Sequence, residues 1–533
     1  MNKKTKKNIG RSGRVRLPKK GETPNSTLPF VKPKGKVFGY HENLETALEA
    51  VKNFYSLYDK FPKAVKNETK QIAFVSKKDI EGRVDLRKEL IFTIDGDDSR
   101  DFDDAVAIQK TPDGYQLGVH IADVAHYVKL GSSIDKEALK RGTSVYLPNA
   151  VFPMLPEELS SGVCSLKEDE DRLTISLVMD IDNNGKVLSY KIFESVIKSF
   201  ARLTYKKCAK IIDGDKEMHK LYSPFIESLT VMNELANILA KKREMRGAIN
   251  FDTYESEFDI EDDEVVGLRR AERLNSHYLI EEFMILANET IAEHFEKIKA
   301  PFVYRVHAKS SFEKFERLEA FLNSLGISHK LKLENMTSKD VQHLLDNVPE
   351  HLAGVVNKVV LRAMSKAVYE IKNKGHFGLA SEYYCHFTSP IRRYADLAIH
   401  RVIKENLKGN KLARYKPVVA LASKEATNRE ILAEAAERKY NDFLKAKYME
   451  EKIGDSFKGI ISSITNFGFF VELDNTVEGL VRLESLDGNY EFIEDACILK
   501  GKQIFKLGQE VDIVVANARG DRIDFLLMQN LES

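Results

Sequence analysis

Residues 92–109 read FTIDGDDSRDFDDAVAIQ, and six aspartates fall in the ten positions from 95 to 104: Asp95, Asp97, Asp98, Asp101, Asp103 and Asp104. Asp101, Asp103 and Asp104 lie within four residues, so their carboxylates repel one another and resist ionisation unless a cation or full hydration relieves them. Full hydration fits poorly, because the apolar flanks LIFTI and AVAI would hold the loop against a core. A calcium loop of the EF-hand kind needs Gly at its sixth place and Glu at its twelfth. Counted from Asp95 those places hold Arg100 and Val106, and from Asp97 they hold Phe102 and Ile108, so that register fails twice. Oxygen donors alone suit Mg2+ or Mn2+. In an extended segment Asp101 and Asp103 share a face while Asp104 turns the other way, and Asp95 reaches in from the end of the preceding strand. Four such carboxylates can hold two ions about 4 Å apart, a pair that clamps the attacking and leaving oxygens of phosphodiester hydrolysis. Asp97 and Asp98 are expected to be outer, solvated groups.

Two other clusters invite a chemical reading. His120, Asp123 and His126 follow at spacings of three; with the acid cluster already accounting for a cation, they read as core or supporting groups. Glu281 and Glu282 sit in the helical pattern YLIEEFMILANE, where one faces a channel and the other solvent, and the sequence does not say which.

The elements that must position these residues are of two textures. From LIFTID onward, short apolar strands (DAVAIQ, YQLGVHIA, LTISLVMDI) alternate with the turns TPDG and DNNG. Helical spacing follows over 217–246, 276–299, 311–325, 351–374, 391–406 and 411–452. At Gly454 the pattern becomes alternating strands with interspersed glycines, closing in EVDIVVANARGDRIDFLL, which predicts a small β-barrel over about 75 residues. A chain of 533 residues exceeds one compact core. With 43% hydrophobic and 31% charged residues it has the composition of a soluble globular protein, and no apolar run approaches a membrane span. Four dispersed cysteines (Cys164, Cys208, Cys385, Cys497) form no CxxC pair, which argues against zinc or a disulfide framework and fits a reducing cytoplasm. Net charge is only +1, yet residues 1–20 carry nine Lys or Arg before the first acid, Glu22. Residues 1–35 read as a basic disordered tail, either solubilising or a phosphate-neutralising arm.

Over about residues 75–405 the chain resembles the RNB exoribonucleases, the family of ribonuclease R and ribonuclease II. The motif TID-x5-D-x-DD stands as Thr93-Ile94-Asp95 … Asp101-Phe102-Asp103-Asp104, with Ser99 where the family usually has Ala. GVHIADVAHYV, RGTSVYLPNAVFPMLPEELSSGVCSL, SFARLTY, RGAINFD, SHYLIEEFMILANETIA, FVYRVH and HFTSPIRRYADLAIHR follow in family order. The resemblance implies a multidomain α+β protein whose RNB catalytic domain, a mixed sheet with helices over 91–445, precedes an S1-type OB-fold barrel over 455–530. It implies 3′→5′ processive, Mg2+-dependent (or Mn2+-dependent) hydrolysis of RNA to 5′-mononucleotides, with Asp95, Asp101, Asp103 and Asp104 as metal ligands and Arg392 as the essential arginine. Arg392 and Arg393, adjacent on a helix, would point about 100° apart. One then faces the phosphate, and the other, Arg393, holds backbone phosphates or an acid such as Asp396. Tyr146 maps to the tyrosine that packs on the 3′-terminal nucleotide, and His386 is a further RNA-contact candidate. In the barrel, GIISSITNFGFFVELDNTVEGLVRL places Phe467, Phe470 and Arg482 on the RNA face, with Phe469 inward by alternation; many members have His where Arg482 stands.

The partners implied are single-stranded RNA with a free 3′ end, structured RNA with a 3′ overhang, and the ribosome or other RNA-decay proteins; no membrane is implied. Ribonuclease R normally carries two cold-shock domains before its catalytic part, whereas 90 residues precede Ile91 here. Residues 36–90 combine a strand pattern (GKVFGY), a helical stretch (LETALEAVKNFYSLY) and a charged connector, and look like the tail of one such domain, as expected of a naturally shortened member or of a lost start of the reading frame. The basic tail would then replace part of the lost phosphate contacts. A rival class is an RNA-binding protein whose catalysis has lapsed.

Overall fold

The computed structural model describes residues 43–251, 254–327, 336–493 and 497–528. The basic stretch over 1–35 and the strand expected in GKVFGY lie outside them. Residues 43–90 depart from the cold-shock expectation, because what is described there is mainly helical: Leu44–Tyr55, Lys63–Thr69 and Lys77–Ile80. The local reason is legible: Leu44, Ala47 and Val51 recur at helical spacing and are fully buried, and Asn43 caps the first helix by accepting the Thr46 N–H at 2.9 Å. The one strand of this segment, Val84–Asp85, adds in parallel to the edge of the central sheet.

That sheet is built from β1 (Asp104–Thr111), β2 (Gly114–Ala122), β3 (Asp171–Asp182) and β4 (Val187–Lys198), antiparallel in spatial order β4-β3-β2-β1. The two predicted turns set its register. Gly114 has φ +150 and sits so close to β3 that a Cβ would stand 2.1 Å from the Ile181 carbonyl oxygen. In DNNG, Asp182 accepts the Asn184 and Lys186 N–H groups at 2.9 and 2.8 Å, and Gly185 takes the left-handed φ of 73. β2 is buried along nearly its whole length. The helices α1 (Ile226–Arg246), α2 (Asn275–Lys297) and α3 (Tyr394–Leu407) flank the sheet and share its core.

The fourth long helix, α4 (Lys416–Glu450), spans 35 residues, about 50 Å at 1.5 Å per residue. Tyr440, Phe443 and Leu444 on it pack with Leu44, Ala47 and Val51, while Ala446 and Met449 enter the core of the barrel that follows. The barrel consists of β5 (Ser456–Thr465), β6 (Gly468–Leu473), β7 (Glu478–Arg482), β8 (Glu510–Arg519) and β9 (Arg522–Leu527), closed in the order β5-β6-β7-β9-β8. Its parallel β7/β9 contact among otherwise antiparallel pairs is OB-like. The predicted closing hairpin is β8–β9.

Two helix expectations are corrected. The helix expected over 351–374 ends at Ala363, and Val368–Glu370, β-branched and aromatic, pairs instead with Tyr304–Val306. The helix expected from 391 begins only at Tyr394; Arg393 has φ −128 and its segment bridges Thr143. Among the described residues no helix is long and apolar enough to cross a membrane.

Asp123 holds the sheet, α3 and the N-terminal segment together. Its fully buried carboxylate pairs with Arg83 at 2.6 Å and with Lys404, both largely buried. Removing one member of such a group strands the others without a partner, so Asp123→Ala is expected to lower stability by about 3–5 kcal/mol in urea denaturation. The exposed Lys297–Glu293 pair, broken by Glu293→Ala, is expected to cost far less. Equal losses in the two variants would contradict a buried hub.

Candidate active site

The acid-rich loop begins and ends on sheet. Thr93–Asp95 pairs in parallel with Arg202–Thr204, and Asp104 opens β1. The turn between is tied down by backbone hydrogen bonds. The Phe102 N–H donates to Ser165 Oγ at 3.0 Å, and the Ser165 hydroxyl donates to the Arg100 carbonyl at 2.8 Å. Leu166 N–H reaches the Phe102 carbonyl at 3.0 Å and Ala122 N–H the Asp103 carbonyl at 2.9 Å. Phe102 itself is buried and lies under the Arg202 guanidinium, 5.3 Å from ring centroid to Cζ.

This scaffold draws four carboxylates into one electrostatic group. Asp103 is 4% exposed; its Oδ1 accepts the Ile391 N–H at 2.8 Å, and its Oδ2 has no hydrogen-bond partner. Burial pushes its carboxyl well above the usual range, opposed by Arg392, whose Nε lies 3.8 Å from Oδ2. Asp95 is shifted the same way, first by burial and then by Asp104 and Asp101, and its Oδ2 is likewise buried without a partner. Burial raises Asp104 to about 6 against the pull of Arg392 and Arg393. Asp101 Oδ2 accepts the Tyr146 hydroxyl at 2.6 Å. Among the described residues, no group of three or more His, Cys, Asp or Glu is arranged to hold a metal ion. The acids therefore share one electrostatic field, with Asp101 and Asp103 each held by its own donor, and they do not converge on one point. Asp97 and Asp98 are exposed, and Asp97 pairs with Lys206 at 3.2 Å.

The two arginines separate for a reason the helical reading missed. Arg392 closes a turn in which the Arg393 N–H donates to the Ser389 carbonyl at 3.0 Å, whereas Arg393 is extended, with φ −128 and ψ 124. Of the two partners expected of it, Arg393 meets the acid: Asp396 accepts two hydrogen bonds from it, of 3.0 and 2.7 Å. Arg392 faces the acids, is 44% exposed, and donates to Ser389 Oγ at 3.1 Å. Tyr146 is 39% exposed beside it, on the strand Val145–Leu147.

The remaining candidates have structural partners. His120 bonds Ser176 Oγ at 2.7 Å inside the sheet, where burial lowers it to about 4. His126 contacts Asp79 at 3.1 Å. Glu282 is the inward member of its pair, clasped by Arg243 at 2.6 Å, and Glu281 meets Arg273. His386 bonds the Tyr369 hydroxyl at 2.8 Å, and burial holds its imidazole neutral. Sequence reasoning assigned no role to Arg202, Ser165 or the Ile391 N–H. All three act on or through backbone groups, which leave no spacing signature.

On the barrel, alternation is observed as expected. Phe469 is fully buried, Phe467 is 53% exposed, and Phe467 and Phe470 meet edge to face at 6.3 Å. Arg482 is exposed and paired with Asp524 at 2.9 Å. With Lys358, Arg362 and Lys445 these residues line a cleft of about 1180 Å³ between β6, β7 and the helix Glu350–Ala363.

Residues 83–409 match the RNB domain and residues 450–525 the S1 RNA binding domain. Ribonuclease R of Thermotoga maritima is 43% identical over 491 residues, covering 89% of this chain and 69% of that protein. Ribonuclease R 1 of Lactococcus lactis is 41% identical over 478 residues, covering 87% of this chain, which thus spans 58% of that relative's length. The solved structure of Mycoplasma genitalium RNase R in complex with ribose methylated single-stranded RNA superposes with a TM-score of 0.85 at 28% identity, over 93% of this chain and 79% of that one. A buried acid cluster faced by one arginine, on a sheet domain followed by an OB-like barrel, thus coincides with the RNB and S1 matches, and the chain belongs to the RNB family, in its ribonuclease R group.

Proposed function

We propose that this chain is an exoribonuclease that hydrolyses RNA processively from the 3′ end and releases 5′-mononucleotides, with Mg2+ or Mn2+ as cofactor, in RNA decay and processing. The observation that carries this reading is the pair of buried carboxylate oxygens without a hydrogen-bond donor, Asp95 Oδ2 and Asp103 Oδ2, the second of them 3.8 Å from Arg392 Nε. Buried acceptors without donors are costly and are kept where something else satisfies them. An all-oxygen donor set fits a hard divalent ion. Asp95, Asp101, Asp103 and Asp104 would hold it, and when bound such ions activate the attacking water and stabilise the leaving oxygen.

The chain's own residues supply the rest. Arg392 has a planar guanidinium with spare donors, able to meet two non-bridging phosphate oxygens as charge grows on them, an effect worth about 3 kcal/mol. Tyr146 offers an exposed ring to the terminal base, and its hydroxyl holds Asp101. Phe467, Phe470 and Arg482 offer stacking and charge to the upstream strand. RNA as ligand is supported by the Mycoplasma genitalium relative, solved with single-stranded and with double-stranded RNA. A second reading, an RNA-binding protein without catalysis, has one observation in its favour: among the described residues the acids do not converge on a shared ion position.

Incubation with 5′-labelled single-stranded RNA and Mg2+ separates the two. Stepwise shortening from the 3′ end is expected, with an Asp103→Asn variant that binds RNA and leaves it intact; uncut RNA with wild type favours the binding reading, and fragments from circular RNA would reveal an endonuclease. Phe467→Ala is expected to weaken RNA binding by about 1–3 kcal/mol in filter binding while a dinucleotide is cleaved at the wild-type rate, and unchanged binding removes the barrel from the RNA path. Asp104 titrates near 6 when folded, above its ordinary 3.8, so its contribution to stability is full below about pH 4 and is lost as pH rises through 6. Without divalent cation, Asp104→Asn is expected to gain about 2 kcal/mol over wild type between pH 4 and 7.5 in urea titrations. A difference independent of pH contradicts the buried-acid electrostatics.

A further inference from the structure

Arg202 stands apart from every group assigned a chemical task, yet the acid loop is folded around it. One terminal nitrogen, Nη2, donates to the Gly96 carbonyl at 2.8 Å and the Asp97 carbonyl at 2.5 Å, and approaches the Ser99 carbonyl at 3.5 Å. These are the residues that carry the chain from Asp95 to Asp101. The guanidinium also covers the Phe102 ring, directly between Asp101 and Asp103. Its own backbone is fixed, since Arg202 pairs with Thr93 in the parallel ladder and its N–H donates to Glu168 at 3.2 Å. A cation at this place does two things at once. It gathers the carbonyls of the turn, and it offsets the negative potential on Asp95, where its effect opposes that of the neighbouring acids. Its Nε is buried without a partner, so the side chain is retained for the bonds Nη2 makes and for its charge.

We propose that Arg202 is a positioning residue for divalent-cation binding: by holding the carbonyls of residues 96–99 and capping Phe102, it sets the distance between Asp95 and the Asp101–Asp104 group without touching substrate. The inference rests on the reading of these acids as the cation site. Groups that orient metal ligands typically contribute 10–100-fold to metal affinity. Arg202 lies on strand Arg202–Thr204, paired with Thr93–Asp95, and bonds the loop's carbonyls directly, so a change at Arg202 reaches the acids through the loop.

The test is a Mn2+ titration of the full chain without RNA, followed by the loss of free-ion signal in electron paramagnetic resonance. It compares wild type, Arg202→Gln, Arg202→Lys and Asp103→Asn, with thermal midpoints measured in parallel. Arg202→Gln is expected to bind Mn2+ 10–100-fold more weakly. Arg202→Lys, which keeps the charge but presents one compact ammonium, is expected to fall between, and it carries the test should the Gln variant not fold. Raising Mn2+ should restore turnover of Arg202→Gln toward wild type with an unchanged KM for RNA, a rescue that general loosening of the fold would not show. Wild-type Mn2+ affinity in Arg202→Gln and Arg202→Lys overturns the role of Arg202 alone. Failure of wild type itself to take up Mn2+ sinks the reading of the site and this inference with it.

Discussion

Mutual repulsion among carboxylates withdrawn from water is the constraint around which the RNB domain is arranged. Asp95, Asp103 and Asp104 all resist ionisation because of burial, and the acids reinforce one another. A fold that left them free would relax by turning them into solvent, as Asp97 and Asp98 do. It does not relax because the turn is pinned from three directions: Ser165 and Leu166 hold its middle, Ala122 its end, and Arg202 its beginning. Ile391 and Arg392 then close over Asp103 from the loop before α3. Each of these contacts joins segments far apart in sequence, so the site exists only once the sheet and α3 are assembled.

The same economy appears in the division of labour between adjacent residues. Arg392 and Arg393 differ in role because the first closes a turn facing Asp103 while the second, in extended conformation, is taken by a structural acid, Asp396. Phe469 and Phe470 differ because strand β6 alternates its side chains. The long helix α4 then ties the sheet domain to the barrel, contributing Val419, Ala422 and Ala426 to the core of the first and Ala446 and Met449 to that of the second. The barrel's aromatic face, the cleft beside it and the acid pocket thus belong to one continuous scaffold.

The acid cluster was legible in the sequence because its meaning lies in residue types and spacing: carboxylates crowded between apolar strands cannot be a solvated turn. The inward Phe469, the TPDG and DNNG turns and the closing hairpin of the barrel were legible because period-two alternation and turn chemistry are local. What escaped was tertiary. Nothing local distinguishes Arg202 from a surface arginine or marks Glu282 as the inward glutamate. The start of α3 lies three residues later than the helical spacing suggests because SPIRR forms a turn whose end is held by Thr143, some 250 residues earlier in the chain. Within 43–90 the first helix is legible from the apolar spacing at 44, 47 and 51, while the cold-shock resemblance offers no guide to the short helices that follow it.

The central claim is that these carboxylates, partly protonated when left to themselves, give up protons to hold divalent cations. Calorimetric titration of Mn2+ at pH 6, repeated in buffers of different ionisation enthalpy, measures that exchange directly, because ligands must be deprotonated to bind. The account predicts binding accompanied by net proton release that shrinks as pH is raised to 8 and disappears with the binding itself in Asp103→Asn. Cation binding with no proton release at pH 6, or binding that survives in Asp103→Asn, would contradict it.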